Sequence, residues 1–538
     1  MKVSVSRIRQ SLNRRWEHSR ASQRIEHLAR KIAAAGIVDP KARPVIFFNA
    51  STRLEGLSLN AAFSLLSSWA VRLSGVPVIH FACQAGMSRC VLGTNRKNPH
   101  DLPPCPACLR QSKSIYAYSP THWFIQHHET ALDTALTPLS LDDLVRFEKD
   151  GLQLGDLVLP SVRWVLRRHH LIDDEPTRFL YRQFILSAWR VAGEFGQLLD
   201  LAKPQAVVVF NGMFFPEATA RRVAIMRGIR VITHEVCHQP MTAFFTTGDA
   251  TAYPIHIPDD YQLTPAQEGQ LNAYLEQRFQ GNFSMAGIRF WPEMRGLDER
   301  FLQKAAKFQK IVPVFTNVIF DTSQSHANVI FPEMFAWMEL ILEIIRTHPE
   351  TLFVIRAHPD ETRPGKESCE TVEAWVKARG VEKLPNVVFV NPREYISSYE
   401  LIRRSHFVMV YNSTIGVEAT LLGAAVLCGG KARYTQIPTV YFPQTPGEYR
   451  QMAEDFLAQP QVAPTEQMSV NARRFVHFNL YRACLPFGSL LEEDKVWRGF
   501  VVPKNLPVDA FRPENSQVMR IVAEGILQDK PFLMDGES

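Results

Sequence analysis

The chain has 538 residues, of which 46% are hydrophobic, 21% charged and 10% aromatic, with a formal charge of +6. That length allows roughly two to four domains, and the balance supplies apolar material for full cores. It excludes a mainly disordered chain, a collagen-like fibre and a disulfide mini-scaffold, and so mild a charge does not by itself indicate nucleic acid.

Residues 1–36 carry nine basic and two acidic side chains, so the charge surplus is local. Ile8, Leu12, Trp16, Ile25, Leu28 and Ile32 recur near helical spacing. This predicts a basic amphipathic helix, or a pair, that packs on the body or touches an anionic lipid surface. No stretch approaches the ~20 apolar residues of a spanning helix. The basic start lacks the apolar core of a signal peptide, so a cytoplasmic protein is expected, with residues 1–36 available for contact at the inner membrane.

From Pro44 the pattern changes to strand 44–49, a polar loop 50–58, helix 59–73 and strand 76–81. That order is a βαβ unit and implies a parallel sheet. Residues 120–200 read as mostly helical, an insertion or flanking layer. Strand 206–210, a loop 211–216, helix 217–226 and strand 230–233 follow. A second α/β unit begins near residue 300, with strands 311–315, 352–356, 387–390, 407–410 and 425–428 separated by helices. The expected fold is α/β, with two Rossmann-like doubly wound domains facing a cleft and a helical insertion in the first. The expected divisions are 1–36, 37–300, 301–475, and a tail of 476–538 that packs back on the first domain.

Three segments of the second unit carry candidate chemistry. In Val410–Ala419 an apolar strand gives way to Asn412, Ser413 and Thr414 before a helix. Ser413 or Thr414 is a good N-cap, free amides there suit a phosphate, and Glu418 lies one turn on, in reach of a ribose. In Val354–Asp360 a strand delivers Arg356 and His358, and Pro359 ends it. Guanidinium and imidazole there bind a phosphate by charge-assisted hydrogen bonds. Thr316–Asp321 follows the first strand of this unit, where Asn317 and Asp321 would face the cleft.

RAHPDE, with YNSTIGVEATLLGAAVLCGGKARY about fifty residues later, resembles the capsule polysaccharide biosynthesis family, which includes bacterial β-Kdo transferases, and is similar to bacterial sialyltransferases with HP and S/T motifs. The resemblance covers residues 310–440 and extends weakly over 40–250. It implies a GT-B fold with an acceptor-side first domain and a donor-side second domain, and a CMP-activated sugar acid as donor. By position, His358 and Pro359 match the HP motif, Ser413 and Thr414 the S/T motif, and Glu418 the acidic residue of the following helix.

The first domain must then supply the acceptor site and a base. An inverting transfer needs a carboxylate or histidine to take the acceptor hydroxyl's proton. Glu235 and Glu55 rank slightly above Glu217, and His234 and His238 beside Glu235 are candidates for contact with an anionic acceptor. Without an Asp-x-Asp motif, catalysis is expected to need no metal. The cysteines Cys83, Cys90, Cys105 and Cys108 fall within 26 positions. The Cys105–Cys108 spacing suits a structural zinc ion, whereas the first pair is wider than usual, so reduced thiols are the competing reading. The expected activity is glycosyl transfer from a CMP-sugar to a glycan or lipid-linked acceptor. A CDP-glycerol-type glycerophosphotransferase and a non-catalytic nucleotide-sugar-binding scaffold remain the alternatives.

Overall fold

The computed structural model describes residues 5–51, 56–281, 295–496 and 499–536, with residues 5–15 described by their backbone alone. Five parallel strands build the first sheet, in the order Arg230–Val236, Ala206–Phe210, Val45–Asn49, Val78–Gln84, Thr121–Ile125. Successive side chains point to opposite faces. Val45, Phe47 and Val208 enter one core, with helix Leu59–Leu73 and the C-terminal helix Gln517–Gln528. Ile46, Phe48, Val207 and Val209 enter the other, under helices Leu154–Leu166, Glu175–Ala202 and Glu217–Met226. Burial on both faces explains the unbroken apolar runs.

Strand Thr242–Thr246 adds antiparallel to Arg230–Val236, and Leu485–Pro486 adds antiparallel beyond it. The tail thus returns to the first sheet, and Arg230 anchors it by donating to Gly525 O at 2.9 Å and Asp529 Oδ1 at 2.6 Å.

The second sheet is all parallel, in the order Val387–Val390, Thr351–Arg356, Lys310–Phe315, Val408–Val410, Val426–Cys428. In both sheets the chain starts in the middle, winds one way, then crosses back and winds the other. Each therefore has a crevice where the strand order reverses, outside the carboxyl ends of the strands. In the second sheet that point lies between Phe315 and Val410. Two Rossmann-like domains facing each other across a cleft make this a GT-B-like fold.

Two expectations are corrected. Residues 121–125, read within a helical region, form the edge strand of the first sheet. Its apolar run is short, Trp123-Phe124-Ile125, and its side chains are mostly half-buried. Residues 250–279, assigned to the first domain, pack on the second as well: Tyr253, Ile255 and Ile257 share a core with Phe315, Tyr399 and Val417, and with Cys237 and Phe244 of the first. The N-terminal segment is one helix, Val5–Ala35. Ile25, Leu28, Ala29 and Ile32 are buried on the first domain, whereas Trp16 is exposed. The side chains of Ile8 and Leu12 lie outside the described residues. Among the described residues, no helix is long and apolar enough to cross a membrane.

Candidate active site

A cavity of about 280 Å³ opens at the crevice of the second sheet. Three strands end on it, and their loops supply its polar wall. Asn317 and Asp321 follow the first strand, Arg356, His358 and Pro359 the second, and Ser413 and Thr414 the fourth. Asn412 is not part of the lining. It ties the loops together, its Oδ1 accepting from Asn317 Nδ2 at 2.5 Å and Gln324 Nε2 at 3.3 Å. Its expected donor contact is therefore replaced by a positioning role.

The geometry defines what these groups can do. His358 Nδ1 accepts from the Asp360 amide at 3.2 Å, where Pro359 starts a 3-10 turn. Burial, outweighing the Asp360 and Asp321 carboxylates, holds the imidazole below its ordinary pKa. With Nδ1 accepting, the neutral ring carries its proton on Nε2 and is a neutral donor. The cation is Arg356, only 4% exposed at the end of its strand. Burial lowers its pKa to about 10, which leaves it charged at neutral pH. Thr414 is the N-cap of helix Ile415–Leu421, but its side chain makes no capping hydrogen bond. Thr414 thus takes the expected cap position, and its hydroxyl is not committed to the helix. Gly416 keeps this turn tight, since a Cβ there would lie 2.3 Å from Tyr434 Oη, which donates to Ser413 O.

Glu418 lines the same cavity, but both carboxylate oxygens are engaged. Oε1 accepts from Arg278 Nε at 2.8 Å and Nη2 at 2.6 Å, and Oε2 accepts from Tyr399 Oη at 2.7 Å. Although burial opposes the charged form, Glu418 holds the Arg278 guanidinium above its ordinary pKa. Arg278 and Tyr399 also line the cavity and were missed in the sequence. The one signal was an arginine on the buried stripe of helix Pro265–Phe279, after Leu271 and Leu275.

A larger groove of about 1060 Å³ adjoins this cavity and shares Asp321, Pro359 and Asp360 with it. Glu235 faces this groove from the first domain. Its Oε1 accepts from Asn60 Nδ2 at 2.8 Å and its Oε2 from Asn211 Nδ2 at 2.7 Å. The first turn of helix Leu59–Leu73 and the loop after strand Ala206–Phe210 thus converge on one carboxylate at the end of strand Arg230–Val236. Glu217 is 1% exposed and accepts from the Ser51 hydroxyl beside a separate cavity of about 70 Å³. Glu55 lies outside the described residues. His234 does not reach any acceptor: it is fully buried between Phe210 and Phe245, and burial lowers its pKa to about 3. His238 lies between Arg433 Nη1 at 3.1 Å and Asn479 Nδ2 at 2.8 Å. Desolvation, with the charges of Arg433 and Arg278, holds it well below its ordinary pKa, so it offers no positive charge.

The domains are joined on both sides of the cleft. The amides of His169 and His170 donate to Glu370 Oε2 at 2.9 and 3.1 Å, and His238 Nε2 of the first domain lies 3.1 Å from Arg433 Nη1 of the second. Trp164 of the first domain lines both cavities and the groove, and the Arg167 guanidinium stacks on it at 3.9 Å. Among the described residues, Cys237, His238 and Cys484 are the group whose candidate ligand atoms all lie within 4.8 Å of one another. Cys237 and Cys484 are joined as a disulfide, 247 residues apart in the chain.

Residues 282–455 match the family model described as "Capsule polysaccharide biosynthesis protein". No curated protein matches the sequence. Among solved structures, the chain is similar to Thermosulfurimonas dismutans KpsC, beta Kdo 2,4 transferase, at 13% identity and a TM-score of 0.35, over 52% of this chain and 80% of that one. The beta Kdo 2,7 transferase of the same KpsC gives 16% and 0.32, over 58% and 86%. The α,α-trehalose 6-phosphate synthase of Burkholderia multivorans gives 11% and 0.31, over 81% and 94%. None of these likenesses is close enough to transfer a substrate. The resemblance carried by RAHPDE and YNSTIGVEA is borne out over residues 282–455, about a third of the chain, as a match to the capsule polysaccharide biosynthesis family.

Proposed function

We propose that this protein is a glycosyltransferase of bacterial surface polysaccharide synthesis. It moves Kdo or a related sugar acid from a CMP donor to a glycan or lipid-linked acceptor, without a catalytic metal. One observation carries the reading: Arg356, the Nε2 side of His358 and the hydroxyls of Ser413 and Thr414 converge on one cavity at the crevice of the second sheet. A buried cation beside neutral donors suits a phosphate monoanion. The family match over residues 282–455 supports a role in capsule polysaccharide synthesis.

In the reaction, the acceptor oxygen bonds to the anomeric carbon as the bond from that carbon to the phosphate oxygen breaks. CMP departs with the electron pair, and Arg356, His358 and the two hydroxyls stabilise its charge. Glu235 takes the acceptor hydroxyl's proton, and Asn60 and Asn211 orient its carboxylate. The exposed Arg20, Arg30 and Lys31 of the N-terminal helix hold the enzyme at the inner membrane, where lipid-linked acceptors are presented.

The test is product analysis with CMP-, UDP- and GDP-sugars and glycan acceptors from cell extract. CMP release with a new glycosidic bond, unaffected by EDTA, supports the proposal. A phosphodiester product would make the protein a glycerophosphotransferase, and no turnover with any donor would make it a binding scaffold.

A further inference from the structure

The cysteines of residues 83–108 take no part in the cleft chemistry, yet the fold gathers them. Cys83 lies near the end of strand Val78–Gln84. The chain then loops through Cys90 and returns at Cys105 and Cys108, in the first turn of helix Cys105–Ile115. Three residues apart on a helix, Cys105 and Cys108 share a face. Cys90 Sγ lies beside the Pro103-Pro104 turn that leads into Cys105, since a Cβ on Gly93 would meet Pro103, Cys90 Sγ and Pro104 at 2.8, 3.1 and 3.4 Å, although no three of the four sulfurs lie within 4.8 Å of one another. None of the four is in a disulfide.

The backbone around the first two is shaped alike. Gly86 N–H donates to Cys83 Sγ at 3.3 Å, and Gly93 N–H donates to Cys90 Sγ at 3.3 Å, the same spacing in each case. Amide donors to sulfur favour its anionic form. Neither glycine has room for a side chain. A Cβ would lie 2.2 Å from the Phe124 ring at Gly86, and 2.8 Å from Pro103 at Gly93. The Cys90 turn is thereby pressed against the Pro103-Pro104 pair that leads into Cys105. Burial outweighs these amides and raises the pKa of all four thiols, so their protons leave only when a cation takes their place.

We propose that Cys83, Cys90, Cys105 and Cys108 bind one zinc ion as a tetrahedral tetrathiolate. Binding displaces the thiol protons to solvent and fills all four positions, so the ion is structural and has no open site for catalysis. Zinc–sulfur bonds of about 2.3 Å draw the sulfurs together. The loop between Gln84 and Cys105, which has no helix or strand, is the part that adjusts. That loop supplies Val91 and Leu92 to the cavity beside Asn60 and Glu217, and Arg96 to the carbonyl of Glu367 in the second domain. Zinc would therefore fix one wall on the acceptor side and one contact across the cleft.

The experiment is metal analysis of the full chain purified from zinc-supplemented medium without chelator. The expected result is about one zinc per chain, lost at least about tenfold in Cys83→Ser and Cys105→Ser and retained in Cys369→Ser. Because a cysteine variant can fail to fold, wild-type protein is also exchanged with cobalt. The intense absorption of tetrahedral cobalt–thiolate supports the site whatever the variants do. A wild-type chain that holds under about a tenth of a zinc and gives no cobalt–thiolate spectrum overturns the proposal. Iron with sulfide in place of zinc, or a Cys105–Cys108 disulfide by mass spectrometry, overturns it equally.

Discussion

The Arg278–Glu418 pair offers the sharpest energetic test of how the donor cavity is built. Both side chains are buried, at 8% and 7% exposure, and the pair ties helix Pro265–Phe279 to helix Ile415–Leu421. Glu418→Leu removes the carboxylate and leaves the Arg278 guanidinium in the interior without it. Breaking a buried pair from one side costs about 3–5 kcal/mol. The Tyr399 hydroxyl loses its acceptor as well, for about a further 1 kcal/mol. Against a total stability of about 5–15 kcal/mol, that is a severe loss. Replacing both partners, as Arg278→Met with Glu418→Leu, removes the stranded charge. Such replacements are often neutral or better, so the double variant should return most of the loss. Urea unfolding followed by tryptophan fluorescence measures all three, with a coupling energy of about 3 kcal/mol expected from the cycle. If Glu418→Leu costs less than about 1 kcal/mol, or the double variant is no more stable than the single one, the pair is not the tether described here.

Other outcomes follow from the same geometry. Glu235→Gln should lower transfer by about 10²–10⁴-fold while CMP affinity stays unchanged, since Glu235 serves the acceptor and not the donor; steady-state rates with calorimetry separate the two. Gly416→Ala should cost about 1–3 kcal/mol through the clash with Tyr434, read as a lowered melting temperature. His234 gives a pH signature. Its folded pKa of about 3 lies below an unfolded value near 6.5, so the unfolded chain binds more protons between them. This contribution to stability is complete above pH ~6.5 and is lost as pH falls toward ~3, at about 1.4 kcal/mol per pH unit. Among the described residues, neither ring nitrogen has a hydrogen-bond partner. His234→Phe should therefore flatten the stability curve between about pH 4 and 6, and an unchanged slope would contradict a neutral core histidine.

What could be read from the sequence is what is local. His358 and Ser413–Thr414 stood out because each follows an apolar strand at a polar loop, and the sheet then brings strand ends together. Arg278, Glu418 and Tyr399 meet across 140 residues of chain, and no local pattern reports that contact. Glu418 thus read as a cavity-facing carboxylate although both its oxygens are taken. The segment 250–279 crosses the cleft before its helix begins, so Tyr253, Ile255 and Ile257 carry no period that assigns them to the second core. His234 was legible. In a strand its side chain must point opposite to that of Glu235, and since Glu235 faces the groove, His234 enters the core.

The central claim is a nucleotide phosphate held at the crevice of the second sheet. Calorimetric titration of CMP, UDP and GDP into the wild type and His358→Ala tests it directly. The account predicts selective binding of CMP, weakened at least about tenfold in His358→Ala, the loss of one charge-assisted hydrogen bond, with the melting temperature of the free protein nearly unchanged. Undiminished CMP affinity in the variant, or no binding of any nucleotide by the wild type, would contradict it.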